Sequence, residues 1–315
     1  MRVRVVGAGV VGLTCALRLA QDGHRVDVVA AGTGEQTTSS VAAALWYPYR
    51  AHPRARVTGW SATTYRVLCG LADDPATGVR LRRGRELFRR PTAEPWWRAA
   101  VPALDRVRGD RLPPGYVDGY ELTVPVVDMA RHLPWLRDRS VRAGVEIRPG
   151  RVPALADAFT DGVHAVVNCT GLDARELTGD TSLTPVRGQV VVVSQVGLDE
   201  WLLDQTDPGH LRYVVPRTDT VLLGGTAEEG DEERHARPET AEAIVARCTA
   251  LVPALGAARV LAHRVGLRPA RPSVRLETER TAPGPVVHCY GHGGAGVTLS
   301  YGCAAEVAEL VAALD

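Results

Sequence analysis

The chain has 315 residues, 45% of them hydrophobic and 23% charged, a size that buries a substantial core in one large domain or two intertwined ones. Its formal net charge of +1 supplies no global field to draw nucleic acid or an anionic surface. No apolar run approaches the roughly 18 residues of a membrane span.

Every basic residue other than histidine is Arg, and the absence of Lys excludes a lysine base or a Schiff base. Six cysteines stand at 15, 69, 169, 248, 289 and 303 without a C-x-x-C pair or zinc spacing, so no metal is expected. Reduced thiols in a cytoplasmic protein are the expectation. No signal peptide and no peroxisomal address are expected from the chain ends.

The first residues read as a dinucleotide site. Val3, Val5 and Val6 form an apolar strand, and Gly7, Gly9 and Gly12 follow at G-x-G-x-x-G spacing. Val11, Ala16, Leu19 and Ala20 then recur at helical intervals up to Gly23, where a helix would end. Gly7 permits the tight turn, Gly9 lets a pyrophosphate touch the backbone, and Gly12 lets the helix pack on the strand. The emerging helix offers free N–H groups and a partial positive charge to phosphates. A second strand, 25–29, should end on an acid for the ribose, but Ala30, Ala31 and Gly32 stand there and the nearest acid is Glu35.

Residues 37–49 carry four hydroxyls (Thr37, Thr38, Ser39, Ser40), then Ala42, Ala43, Ala44, Leu45, Trp46, Tyr47 and Tyr49. Two readings stay open: donors and small residues for a flat cofactor ring, or a helix cap with a small-residue packing face. Residues 57–72 read as helix, and the basic run 80–90 as an exposed, solvated hairpin edge rather than a nucleic-acid site. A helix over 127–143, a strand at 145–147, a short helix at 154–159 and a strand at 164–168 return to the cofactor-binding fold.

Strands at 188–193, 211–216 and 220–224 lack intervening helices and predict an inserted antiparallel sheet. The acidic stretch 227–233 reads as a solvated face before a helix at about 238–252. Finally a strand, 286–290, enters Gly291-His292-Gly293-Gly294-Ala295-Gly296 and a long helix. That bare backbone at a helix N-terminus suits the pyrimidine end of a flavin.

Gly7 to Leu13, Thr37 to Trp46, Asn168-Cys169-Thr170-Gly171, Gly266-Leu267-Arg268-Pro269-Ala270-Arg271-Pro272 and Tyr290 to Thr298 together resemble the D-amino-acid oxidase family of FAD flavoproteins, in matching order from end to end. The resemblance implies an α/β fold: a discontinuous Rossmann-type FAD-binding domain (1–48, 128–186 and 280–315) and a mixed-sheet substrate-binding domain (49–127 and 187–279). It implies non-covalent FAD held by Gly7, Ala8, Gly9, Val10, Val11, Gly12, Thr37, Thr38, Ser39, Ala43, Ala44, Leu45, Val152, Thr170, Arg268, Gly293, Gly294, Gly296 and Thr298.

The resemblance further implies that Arg268 and Tyr213 hold the substrate carboxylate and that the Gly294 carbonyl takes the amine. Leu45, Tyr47 and Tyr49 would form the pocket wall; His210 or Arg212, by residue type, is the candidate to recognise an acidic substrate side chain, which keeps D-aspartate oxidase open. His292 reads as a loop-packing residue and Cys289 as a free thiol. The implied reaction moves a hydride from the substrate Cα to flavin N5, with no side-chain base. It converts a D-amino acid, O2 and water to a 2-oxo acid, ammonia and H2O2. The largely apolar wall favours neutral D-amino acids.

The segment 207–212 lacks a second tyrosine and predicts a short lid and fast product release. D-aspartate oxidase, glycine or secondary-amine oxidase, and a structural or sensory FAD-binding module are the alternatives. The partners expected are a small D-amino acid and O2, with no nucleic acid and no membrane; a homodimer stays open.

Overall fold

The computed structural model describes residues 1–207 and 209–314. The chain begins with β1 (Arg2–Val6), α1 (Val10–Gln21) and β2 (Arg25–Ala30), followed by α2 (Thr38–Val41) and α3 (Arg54–Leu71). Next come β3 (Val79–Phe88), β4 (Asp105–Val107), β5 (Asp118–Val127), α4 (Met129–Arg142), β6 (Glu146–Pro149), β7 (Ala165–Asn168) and α5 (Ala174–Thr178). The antiparallel run is β8 (Thr184–Ser194), β9 (Trp201–Asp204), β10 (Arg212–Pro216), β11 (Thr220–Gly224) and β12 (Glu228–Glu229). The chain closes with α6 (Pro238–Leu251), β13 (Val260–Arg280), β14 (Pro285–His292) and α7 (Gly296–Ala312).

One sheet runs through the molecule in the order β4-β5-β3-β9-β10-β11-β8-β13-β14-β7-β1-β2-β6, with β12 paired to β8. From β14 to β6 all pairings are parallel. From β13 to β9 they are antiparallel. The 21-residue β13 belongs to both halves: Val260 to Ala270 pair with β8, and Ala270 to Arg280 with β14. A register shift between Ala270 and Arg275 lets the strand change direction there.

The first helix forms as its apolar spacing demands. Leu13, Ala16, Leu17 and Leu19 are buried, and Gly23 at φ 88° closes the C-terminus. There the Gly23 and His24 N–H groups return to the carbonyls of Ala20 and Leu19, satisfying the last turn. The last helix crosses α3 closely because Gly302 has no side chain: a Cβ would stand 2.3 Å from the Trp60 backbone. Cores form on both faces of the sheet, with Trp46, Trp97 and Trp201 almost wholly buried. Truncating a side chain such as Trp46 to Ala would cost about 3–5 kcal/mol.

Two expectations change. The basic run 80–90 is no edge hairpin: β3 pairs antiparallel with β5 and parallel with β9 inside the sheet. Its Arg83 and Arg85 are taken up by Glu121 and Glu200 across the strands. The acidic stretch is not simply solvated, since Glu228 pairs at 2.6 Å with Arg187, a guanidinium wholly inside the protein. The Glu233 and His235 carbonyls accept from the same group. Among the described residues no helix is long and apolar enough to cross a membrane.

Candidate active site

A cavity of about 630 Å³ opens where the parallel half meets the face of the antiparallel half. Two helix N-termini reach it. Gly9, Val10 and Val11 begin α1, and Gly296, Val297 and Thr298 begin α7. Neither helix carries an acid in its first turn, and neither N-cap residue, Gly9 or Ala295, caps its own helix; of the first-turn N–H groups, that of Val10 is taken by the Ser39 hydroxyl. Both ends therefore present unneutralised positive potential to whatever fills the cavity.

The glycine loop is as tight as its spacing implies. A Cβ on Gly7, at φ 109°, would lie 2.4 Å from the Cys169 carbonyl oxygen, and one on Gly12 would lie 2.0 Å from that of Gly7. Gly7, Ala8, Gly9, Val10 and Val11 line the cavity, whereas Gly12 serves the packing of helix on loop and does not reach it. The Ser39 hydroxyl accepts from the Val10 N–H at 3.0 Å, and Thr38 donates to the Leu267 carbonyl at 3.1 Å. Thr37 donates to the Gly34 carbonyl. The hydroxyl-rich stretch thus braces the cavity while Thr37, Thr38 and Ser39 also line it.

Ala43, Ala44 and Leu45 form the next wall, held in place because the Val127 and Trp46 N–H groups bind the Ala44 and Pro125 carbonyls. Val152, Thr170, Gly293, Gly294, Gly296 and Thr298 complete the lining expected for a cofactor. At the end of β2 and just past it, Ala30, Ala31, Gly32 and Gln36, together with Arg151, line the cavity where a ribose-binding acid is expected. Glu35 turns outward, with its side chain 87% exposed. The elongated lining, two uncapped helix ends and a loop too close for any Cβ fit a dinucleotide.

At the other end, Arg268 on β13 and Tyr213 on β10 share the wall. Arg268 Nη1 donates to the Thr226 carbonyl at 3.0 Å, and no carboxylate among the described residues pairs with this guanidinium. A Cβ on Gly188 would stand 2.3 Å from Arg268 Nη1, and one on Gly224 1.9 Å from Tyr213 Cζ. The two side chains therefore rest on backbone that carries no side chain of its own. Burial raises the Tyr213 phenol above its usual range, and the Arg268 charge opposes that rise. The phenol stays protonated and can donate.

Tyr49 packs on Gly294, where a Cβ would lie 2.6 Å from its ring, and its Oη is buried without a hydrogen-bond partner among the described residues. A guanidinium, a phenol and an unpartnered hydroxyl beside bare backbone suit a small carboxylate. A second cavity of about 360 Å³ meets the first at Tyr49, Arg268, Gly293 and Gly294.

The pocket wall also includes Leu45 and Tyr47. His210 does not line it: the ring is exposed and bound to Asp207 at 2.7 Å. Arg212 is engaged with Asp204 at 2.8 Å and also stays outside the lining. Of the expected lid 207–212, Pro208 lies outside the described residues, while Leu211 lines the cavity.

Sequence reasoning missed Glu86. It is 4% exposed and accepts from the Tyr47 Oη at 2.7 Å and from Gln205 Nε2 at 3.4 Å. Burial pushes its carboxyl up to about 7, against the opposing effect of those two donors. The Tyr47 phenol is raised well above its usual range by burial and by the neighbouring Glu86 charge. The scattered cysteines also gather: the donor atoms of Cys15, Cys169 and Cys289 lie within 4.8 Å of one another, as do those of Cys289, His292 and Cys303. All six thiols are free.

Residues 2–310 match the family model described as FAD dependent oxidoreductase. The chain is 52% identical over 314 residues to a D-amino-acid oxidase of Rubrobacter xylanophilus, covering 99% of this chain and 96% of that protein. A D-amino-acid oxidase of Streptomyces coelicolor is 45% identical, covering 98% and 96%. A human D-aspartate oxidase is 36% identical, covering 98% and 94%. In fold the chain is similar to a glycine oxidase of Geobacillus kaustophilus, with a TM-score of 0.83 at 21% identity, covering 100% of this chain and 95% of that one.

Proposed function

The chain belongs to the FAD-dependent oxidoreductase family, and we propose that it is a D-amino-acid oxidase acting on neutral D-amino acids. The observation that carries this reading is Arg268, a guanidinium without a carboxylate partner, set beside the Tyr213 phenol in a cavity flanked by two uncapped helix ends. An empty FAD-binding module has no use for such a pair, so an enzyme is favoured over a structural or sensory role.

In this reading the discontinuous parallel half (1–48, 128–186, 280–315) holds FAD, and residues 49–127 and 187–279 hold the substrate. Gly7 to Val11 receive the pyrophosphate with α1 N–H groups. Thr37, Thr38, Ser39, Val152 and Thr170 flank it. Ala43, Ala44 and Leu45, with Gly293, Gly294, Gly296 and Thr298, would hold the ring system. FAD supplies the acceptor for the hydride from Cα and the route by which O2 becomes H2O2.

The chain's own residues act by position. Arg268 grips the carboxylate, Tyr213 donates to it, and Tyr49 has a hydroxyl free to join them. The Gly294 carbonyl accepts from the amine. Three fixed points around one carbon set which hydrogen faces the cofactor, and positioning of this kind can remove about 7–11 kcal/mol from a barrier. No side-chain base is required, because the neutral amine supplies the electron pair. The imino acid formed is hydrolysed by water to the 2-oxo acid and ammonia. Six free thiols support a cytoplasmic setting.

Anaerobic mixing of the yellow holoenzyme with D-alanine tests the reading. Loss of flavin absorbance with D-alanine but not L-alanine is expected. Bleaching by glycine or sarcosine alone would overturn it in favour of a glycine or secondary-amine oxidase.

A further inference from the structure

We propose that Glu86 determines specificity: set behind Tyr47 and Gln205, it places a negative charge at the side-chain end of the pocket and turns away D-amino acids with acidic side chains. This rests on the oxidase reading above.

Tyr47 and Gln205 both line the cavity, together with Leu203, Leu211 and Tyr213, and both donate to the Glu86 carboxylate. The acid therefore lies one side chain behind the surface a substrate would touch. Glu86 has no ion-pair partner among the described residues. Its charged neighbour is another carboxylate, Asp204 on β9, which raises it further. Asp204 is itself balanced by Arg212 at 2.8 Å and Arg89 at 3.8 Å.

A buried acid without a cation is costly to keep. Holding the Tyr47 ring does not explain it, since a glutamine could accept the same hydrogen bond without the charge. The charge is what distinguishes glutamate at this position. A second carboxylate brought against Tyr47 and Gln205 would meet like charge in a medium much less polar than water. An amide or aliphatic side chain of the same size would not. The cations that could have received an acid, His210 and Arg212, are engaged with Asp207 and Asp204 and stand outside the lining.

The groups facing Glu86 are Tyr47, Asp204 and, across on β5, Tyr120. Burial and the Glu86 charge hold the Tyr47 phenol high, and burial likewise raises Tyr120. Burial on its own would raise Asp204, but hydrogen bonds from Tyr116, Thr206 and Arg212 hold it low. Among these groups Glu86, at about 7, is the one that changes charge between pH 6 and 8.

The test uses holoenzyme and isosteric substrate pairs, D-asparagine against D-aspartate and D-glutamine against D-glutamate. The ratio of kcat/KM for amide over acid should be at least tenfold in the wild type at pH 8 and should fall at least tenfold in E86Q. An equal ratio in the two proteins, or a wild type that prefers the acids, overturns the proposal. The wild type alone gives a second reading should E86Q not hold FAD. The amide-to-acid ratio should rise severalfold between pH 6 and 8 as Glu86 ionises, and a flat ratio overturns the proposal. A holoenzyme that oxidises D-alanine without this discrimination leaves the oxidase reading standing and removes only Glu86. One inert to every D-amino acid overturns both.

Discussion

The guanidinium of Arg268 occupies the space that a side chain on Gly188 would fill, with Nη1 2.3 Å from the position of the missing Cβ. The two residues sit on adjacent strands, β13 and β8, where Gly188 pairs with Gly266. Gly188→Ala should therefore push the flexible end of Arg268 aside while leaving the sheet intact. The expected result is a yellow, folded protein whose KM for D-alanine rises about 10- to 100-fold, measured by steady-state peroxide formation. An unaltered KM would show that the guanidinium does not hold the substrate.

Arg268→Ala removes the group instead of moving it. Charge-assisted carboxylate contacts in a dry site contribute roughly 2–4 kcal/mol, so kcat/KM should fall about 30- to 1000-fold. Flavin content, read from the visible spectrum, should stay near that of the wild type, because FAD has many other contacts in this reading.

Gly12→Ala addresses the other end. Its Cβ would lie 2.0 Å from the Gly7 carbonyl oxygen, a backbone atom with no freedom to retreat. The loop or the start of α1 must deform, and the expected product is colourless protein with a lower Tm by thermal melting. A fully yellow variant with wild-type Tm would contradict the close packing described here.

Glu86 also sets a pH dependence of stability. Its carboxyl is raised in the folded state to about 7, above the ordinary value of 4.5. For an acid shifted in this direction the stabilising contribution is complete below the unfolded value. It is lost as pH rises through the folded one. E86Q should gain stability over the wild type progressively from pH 5 to 8, reaching about 2–3 kcal/mol at the upper end. Denaturant melts at those two pH values check the sign.

The thiols offer a readout of cofactor occupancy. Five of the six are buried and Cys69 is half-buried, so Cys69 should react first with a thiol reagent in the holoenzyme. Cys169 and Cys289 line the cavity and should become reactive when FAD is removed. Peptide mass mapping of labelled holo and apo protein tests both expectations.

Much of this architecture was legible from local signals. Gly12 announces the loop because its role is settled by Gly7, five residues back, and the bare stretch from Gly291 to Gly296 announces the second helix end by local pattern, whereas the close approach of Gly7 to Cys169 is long-range. Where contacts are long-range, local pattern fails. The basic run 80–90 alternates like an edge, yet its neighbours in the sheet come from β5 and β9. The middle of β13 holds Gly266, Pro269 and Pro272, which punctuate a sequence as turns do, although the chain runs on as strand. Glu86 depends on partners 39 and 119 residues away, and nothing beside it in the chain reveals them. His210 was drawn to the pocket by its residue type, but the nearby Asp207 holds it at the surface.

The long strand β13 carries Arg268 in its first half and finishes against β14, at the parallel half of the sheet. With one backbone continuous across both halves, a clamshell motion would have to tear its ladder of hydrogen bonds. Traffic into and out of the reaction chamber must instead pass through its margins. The place of the Arg268 guanidinium relative to the parallel half is thus a property of the scaffold, already set before any small molecule arrives.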